Sequence, residues 1–145
     1  MTSTARIFAV LALLVSASAI ARSAQSAQPE LSKAESVIIT RRIAILNTPG
    51  ERRMAKEWPD AKKVAEILCR PAALRTLQHQ AAGVDKVFLG TDDPTTLTLE
   101  SDQRLMGIGQ YRTPKGWQDI SFICMLNPAT GKVISFQSTP LSHKR

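Results

Sequence analysis

The chain has 145 residues, of which 43% are apolar and 21% are charged. This length and composition indicate one globular domain and exclude collagen-like, low-complexity and wholly disordered chains. Lysine and arginine number 19 against 12 aspartate and glutamate, and the net charge of +7 predicts a surface that attracts anions. Two cysteines are too few for a disulfide-dense small fold or for a four-ligand zinc site.

The first residues have the pattern of a signal peptide. Arg6 precedes an unbroken apolar run at residues 7–15, and small residues follow, with cleavage motifs that end at Ala19 and Ala21. A membrane anchor is the alternative, but residues 7–20 fall short of the roughly 20 residues that span a bilayer. We therefore predict export to the periplasm or secretion, with no stable membrane span after cleavage.

Composition divides the chain into four parts. Small and polar residues follow the signal pattern, helix and strand patterns come next, and the chain ends on basic residues. The predicted parts are a signal peptide at 1–21, a flexible linker at 22–31, a single α+β domain at 32–140 and a basic tail at 141–145.

Export determines what the two cysteines are expected to do. In an oxidising compartment they form a disulfide, and the only pairing within the chain joins Cys69 to Cys124. A reactive or metal-binding thiol is the alternative, but neither a CxxC motif nor a neighbouring histidine is present. We therefore predict one disulfide.

Helical patterns fill the first half of the predicted domain. Ser32 and Glu35 match a capping box, so we expect a helix after Ser32 and a further short helix at residues 50–58. The clearest helix begins at Asp60, where apolar residues recur at helical spacing. Pro71 is expected to interrupt or restart it.

From Val84 onward the apolar period changes to two, which is typical of strands. The predicted strands lie near residues 86–89, 95–100, 104–112, 117–126 and 132–138. The resulting fold class is α+β, with N-terminal helices packed on one face of an antiparallel β-meander of three to four strands. One disulfide should tie a helix to the sheet.

The hairpin loops predict a register for the meander. We expect Arg112 to pair with Gly116 and Asn127 to pair with Gly131. This register places even-numbered apolar residues on one face, covered by the helix that carries Cys69: Met106, Ile108, Ile120, Phe122, Cys124, Ile134 and Phe136.

The opposite face is the candidate binding surface. In the predicted register it carries small and polar residues with an aromatic pair at one end: Gly107, Gly109, Tyr111, Trp117, Asp119 and Ser121. An aromatic ring beside a carboxylate suits a sugar, through stacking and hydrogen bonds to hydroxyl groups. The alternative is a solvent-facing surface on which an aromatic pair simply stabilises the hairpin.

No recognisable catalytic or cofactor motif accompanies this face. His79 and His143 lie near no nucleophile motif, and the chain has no P-loop and no dinucleotide-binding motif. The two aspartates at residues 92–93 lack the spacing of a calcium-binding loop, and they fit a turn instead. We predict no catalytic residue, no metal and no cofactor. A nucleic-acid partner is also not expected, because the basic residues are not interleaved with aromatic ones.

Four segments carry a family resemblance. They are PDAKKVAEILCRPAAL, GIGQYR, a tryptophan strand that ends in FICML, and GKVISFQ. Together they resemble domain-of-unknown-function family nine-thirty, a group of small exported bacterial proteins. The matching residues are Cys69, Ala72, Gly107, Gly109, Tyr111, Arg112, Trp117, Phe122, Cys124, Val133 and Phe136. The resemblance covers about residues 59–140, and the sequence departs from the family pattern at residues 90–103 and at Gln118. The resemblance implies export and the disulfide, but it implies no activity.

These observations favour a non-catalytic envelope module. Its partner would be an anionic envelope component, a glycan or a periplasmic protein. A small periplasmic enzyme acting on envelope glycan, with Asp119 as acid or base, is one alternative; an inhibitor of a lytic enzyme is another. The enzyme needs a second carboxylate or a histidine near Asp119, and the predicted register supplies neither.

Overall fold

A computed structural model describes residues 29–101 and 104–142 of the chain. The helical elements are α1 (Lys33–Ala44), α2 (Pro49–Glu57), α3 (Asp60–Lys63), a π-helical segment (Val64–Cys69), α4 (Arg70–Gln80) and a 3-10 turn (Pro94–Thr96). The strands are β1 (Lys86–Leu89), β2 (Leu97–Ser101), β3 (Arg104–Thr113), β4 (Gly116–Asn127) and β5 (Lys132–Pro140).

The α+β fold class is confirmed, with the helices first and an antiparallel sheet after them. In the part of the chain that the structure describes, none of the helices combines the length and apolar character needed to cross a membrane. The predicted signal peptide, positions 22–28 of the predicted linker and positions 143–145 of the predicted tail lie outside the described residues.

Capping boxes start the first two helices. The Ser32 hydroxyl accepts a hydrogen bond from the Glu35 amide, and the Glu35 carboxylate accepts one from the Ser32 amide at 2.8 Å. Thr48 and Glu51 repeat this exchange at the start of α2. Each box satisfies two amides that a helix N-terminus otherwise leaves without a partner. The predicted cap at Ser32 is therefore confirmed.

Helical structure continues from α3 through the π-helical segment into α4, with Pro71 near the start of α4. Proline lacks an amide hydrogen, and its ring collides with the carbonyl four residues earlier in a regular α-helix. The wider π-helical turns lie directly before Pro71, where they relieve this collision. The helix therefore widens locally where the sequence predicted an interruption or a restart.

The sheet formed by the described residues has five strands, at the five positions predicted, although the meander was expected to hold only three to four of them. β4 lies between β3 and β5, and every pairing is antiparallel. β1 pairs with the C-terminal half of β3, and β2 pairs with its N-terminal half. The two short strands therefore share one edge of β3.

The predicted disulfide between Cys69 and Cys124 is confirmed. It joins the π-helical segment to β4 across a sequence separation of 55 residues, and both cysteines are fully buried. Ile120, Phe122 and Leu126 are buried on the same face of β4. The prediction that helices cover the even-numbered face of β4 is therefore correct.

The β3–β4 hairpin is one residue tighter than predicted. Thr113, rather than Arg112, pairs with Gly116, so the loop contains two residues. The Lys115 amide donates a 3.1 Å hydrogen bond to the Thr113 hydroxyl, and Gly116 has a φ of +118°, which favours glycine. Since strand side chains alternate between faces, this shift moves every β3 side chain to the face opposite the predicted one.

The two glycines of β3 consequently lie on the helix-covered face. A Cβ atom at Gly107 would sit 2.3 Å from the Thr96 carbonyl oxygen, and one at Gly109 would sit 2.5 Å from the Phe88 carbonyl oxygen. A side chain at Gly107 would collide with the backbone of the 3-10 turn before β2, and one at Gly109 with the backbone of β1. Close backbone packing therefore explains these glycines, and their predicted place on the binding surface is wrong.

The other β3 residues change faces in the same way. Leu105 is fully buried opposite Cys124, and Tyr111 packs at the edge of the core. Met106 and Ile108 lie on the opposite face, where Ile108 is 42% exposed. The predicted burial of Met106 and Ile108 is therefore wrong.

The β4–β5 hairpin also differs from the prediction, because Asn127 pairs with Lys132 rather than with Gly131. A bulge then alters the register of β5 further. Residue pairing shifts between Met125 and Leu126, which leaves Ile134 unpaired and exposed. Phe136, rather than Ile134, lies opposite Cys124 in the core, and its ring stacks on Phe122 at 5.6 Å between centroids. The prediction that Phe136 is buried is correct, whereas that for Ile134 is wrong.

Candidate functional site

The helices pack on one face of the sheet, and no described element covers the other, which we call the open face. Four large apolar side chains on it are exposed: Phe88, Ile108, Trp117 and Ile123. Soluble domains rarely leave a group of large apolar side chains exposed on one surface. Such a group therefore indicates a surface that contacts a ligand or a partner.

The six predicted surface residues divide between the two faces. The open face holds Trp117, Asp119 and Ser121, and the helix-covered face holds the three from β3: Gly107, Gly109 and Tyr111. The structure therefore brings together the β4 half of the predicted set. Phe88 from β1 and Arg112 and Gln110 from β3 join it.

Trp117 stacks on Phe88, and the predicted pairing of Trp117 with Tyr111 is wrong. The ring centroids lie 5.5 Å apart, with 24° between the planes. The two side chains are 46% and 40% exposed, so the pair leaves aromatic surface in contact with solvent. Alternation within β1 could have identified Phe88, because Val87 and Leu89 point into the core.

Arg112 flanks the aromatic pair and is held in place from its other side. Its guanidinium carbon lies 5.7 Å from the centre of the Trp117 ring. The guanidinium also donates hydrogen bonds of 2.9 and 2.6 Å to the Asp85 carboxylate. These hydrogen bonds hold the pKa of Asp85 below its usual 3.8 and raise that of Arg112. The two hydrogen bonds orient the guanidinium, and its carbon lies beside the indole.

Asp119 is half-buried on the open face, two residues after Trp117. Gln110 lies opposite it on β3, and Ser121 follows it on β4. Neither a carboxylate nor a histidine occupies these adjoining positions, and His79 is exposed on α4. In the described residues 29–101 and 104–142, no group of three or more His, Cys, Asp or Glu is placed to hold a metal ion.

A shallow depression of about 290 Å³ lies further along the open face. Its lining mixes apolar and hydrogen-bonding side chains, among them Met106, Ser121, Ile123 and Gln137. The open face therefore offers an aromatic platform at one end and a polar depression at the other. This arrangement suits an extended ligand that lies along β4 better than a small molecule enclosed in a pocket.

Searches of protein-family models, curated proteins and solved structures find no match to this chain. The resemblance to domain-of-unknown-function family nine-thirty therefore stays a prediction.

Proposed function

We propose that the chain is an exported, non-catalytic binding module that holds an envelope glycan on its open face. The observation that carries the proposal is the exposed Phe88–Trp117 stack with Asp119 and Gln110 beside it. The apolar face of a sugar ring stacks on an exposed aromatic ring, while polar side chains next to the ring hydrogen-bond the hydroxyl groups. Arg112, whose charge is paired with Asp85, borders the platform and holds a guanidinium plane beside the indole, where it can donate a hydrogen bond to a bound sugar.

Two observations support export. The first is the signal-peptide pattern at residues 1–21. The second is the buried disulfide, since such bonds persist in oxidising compartments. In bacteria both are typical of proteins that meet peptidoglycan, a polymer of N-acetylated sugars with carboxylate-bearing peptides. We therefore propose peptidoglycan as the glycan.

Trp117→Ala is expected to weaken retention on insoluble peptidoglycan about tenfold, the equivalent of roughly 1.4 kcal/mol for a lost stacking contact. Co-sedimentation at a series of peptidoglycan concentrations measures the effect. The matched control is Met54→Ala, which removes an exposed apolar side chain from α2 and should leave retention unchanged. Thermal melts should show only a small loss of stability for Trp117→Ala, because a cross-strand pair contributes about 0.2–1 kcal/mol.

Asp119→Asn separates binding from catalysis. The substitution keeps the shape of the side chain and removes its charge. Under the proposal it weakens retention on peptidoglycan. The proposal also predicts that neither the original chain nor any variant releases soluble sugar. Release of soluble fragments by the original chain and its loss in Asp119→Asn would support the enzyme hypothesis instead. Retention that is absent in the original chain, or equal in Trp117→Ala, contradicts the proposal.

A further inference from the structure

A second surface lies on the helix side of the molecule, away from the open face. A groove of about 650 Å³ runs between the end of α1, the start of α4 and the β4–β5 hairpin. Four basic side chains line it, and we call it the basic groove: Arg41, Arg42, Arg75 and Lys132. They come from three segments that are distant in sequence, so the fold gathers them.

The charges of the basic groove are not neutralised by the protein. All four basic side chains are exposed, and none makes an ion pair with a carboxylate of the described residues. No aspartate or glutamate is among the described residues that line the groove. Elsewhere, by contrast, cations such as Arg70 and Arg112 do pair with carboxylates. A concave surface with charge of a single sign concentrates counter-ions of the opposite sign.

The floor of the basic groove is apolar. Ile38, Ile67 and Val133 are half-buried along it. Ile45 lines the groove directly after α1 and is 77% exposed, close in sequence to Arg41 and Arg42. Exposed apolar side chains beside arginine or lysine are also found on surfaces that lie in the headgroup region of a membrane. A soluble anion would need only the charges, whereas an amphiphile also uses the apolar floor.

We propose that the basic groove docks the chain on an anionic phospholipid bilayer. The arginine guanidinium groups match lipid phosphates with paired hydrogen bonds, Lys132 adds a point charge, and Ile45 contacts the acyl boundary. Because the groove and the open face lie on different sides of the sheet, both surfaces can be occupied at once. Together with the proposed glycan site, on which this consequence rests, the groove would hold a glycan close to a membrane.

Co-sedimentation of the purified, disulfide-bonded chain with lipid vesicles tests the proposal. We expect binding to vesicles of equimolar phosphatidylglycerol and phosphatidylcholine and none to pure phosphatidylcholine. Replacing Arg42 and Arg75 together by Glu should reduce binding by about 30-fold or more, since each basic residue near an anionic surface contributes about fivefold. The matched control, Arg53→Glu with Lys115→Glu, changes the net charge equally at exposed positions outside the groove and should bind nearly as the original chain does.

Ile45→Ser tests the apolar part of the surface, with Met54→Ser as its control at another exposed position. Binding that falls for Ile45→Ser only supports contact with the acyl boundary. Equal losses in the groove variant and in its charge control would show non-specific attraction and overturn the proposal. In another outcome, the original chain fails to bind anionic vesicles but binds soluble poly-glutamate, and that binding is lost in the Arg42 and Arg75 variant. This result would overturn the proposal in favour of an acidic peptide partner.

Discussion

Ile120→Asp is expected to unfold the domain. Ile120 is fully buried in β4 under the helices, opposite Gly109. An ionised carboxylate at this position would lose its hydration without a partner, at a cost on the order of 4 kcal/mol or more. The lost burial of the isoleucine side chain adds about 2–5 kcal/mol. The combined loss is comparable to the stability of about 5–15 kcal/mol that domains of this size have. Thermal melts followed by circular dichroism measure the loss.

Ser121→Asp is the matched control, one residue further along the same strand. Ser121 lies on the open face between Ile108 and Thr139, where a carboxylate can reach solvent. We expect its melting temperature to stay close to that of the original chain. A stable Ile120→Asp variant, or an unfolded Ser121→Asp variant, would mean that the faces of β4 are reversed.

Removal of the disulfide by Cys69→Ala with Cys124→Ala should lower the free energy of unfolding by about 4 kcal/mol. The bond closes a loop across 55 residues, and the estimate is the entropy that this closure removes from the unfolded chain. The core also loses two fully buried sulfur atoms at the junction of helix and sheet. Urea unfolding of the oxidised chain and of the double variant measures the difference.

Thiol titration provides the control for the disulfide prediction. The unfolded but unreduced chain should show no reactive thiol, because the two cysteines of the sequence are paired. Titration of two thiols per chain in that sample would contradict both the bond and the argument for an oxidising compartment. An unfolding midpoint that is unchanged in the double variant would contradict the stability estimate alone.

The helices and the buried face of β4 follow from local patterns in the sequence. The Ser32 cap depends on residues three positions apart, and the apolar stripe after Asp60 follows from helical spacing alone. The disulfide was predicted from the count of cysteines together with the inference of export. The change in the helix near Pro71 was predicted, but its π-helical form was not, because such a widening depends on tertiary packing as well as on the proline.

The register of β3 could not be obtained from the same patterns. Both of its faces carry apolar residues, with Met106 and Ile108 on one and Leu105 and Tyr111 on the other, so alternation alone does not choose between them. The loop at residues 113–116 is also compatible with two or three loop residues. In the observed register, the carbonyls of Thr96 and Phe88 closely approach the two β3 glycines. Sequence spacing does not report these contacts.

The same limit applies to the two proposed surfaces. Trp117 and Asp119 were identified on β4, but Phe88 joins them only through the pairing of β1 with β3. The sequence shows the positive charges as dispersed, and the fold brings those of α1, α4 and the β4–β5 hairpin into one groove. Surfaces assembled from distant segments are therefore the part of this molecule that the sequence leaves open.

Chemical-shift mapping with soluble peptidoglycan fragments tests most directly whether the open face is the glycan site. In spectra of the isotope-labelled chain, the indole N–H of Trp117 and the amides of Asp119 and Ser121 should shift progressively as fragments are added. The amide signals of the residues that line the basic groove should not shift. Shifts that spare Trp117 and Asp119 while they appear elsewhere on the molecule, or spectra without any shift, would contradict the proposed site.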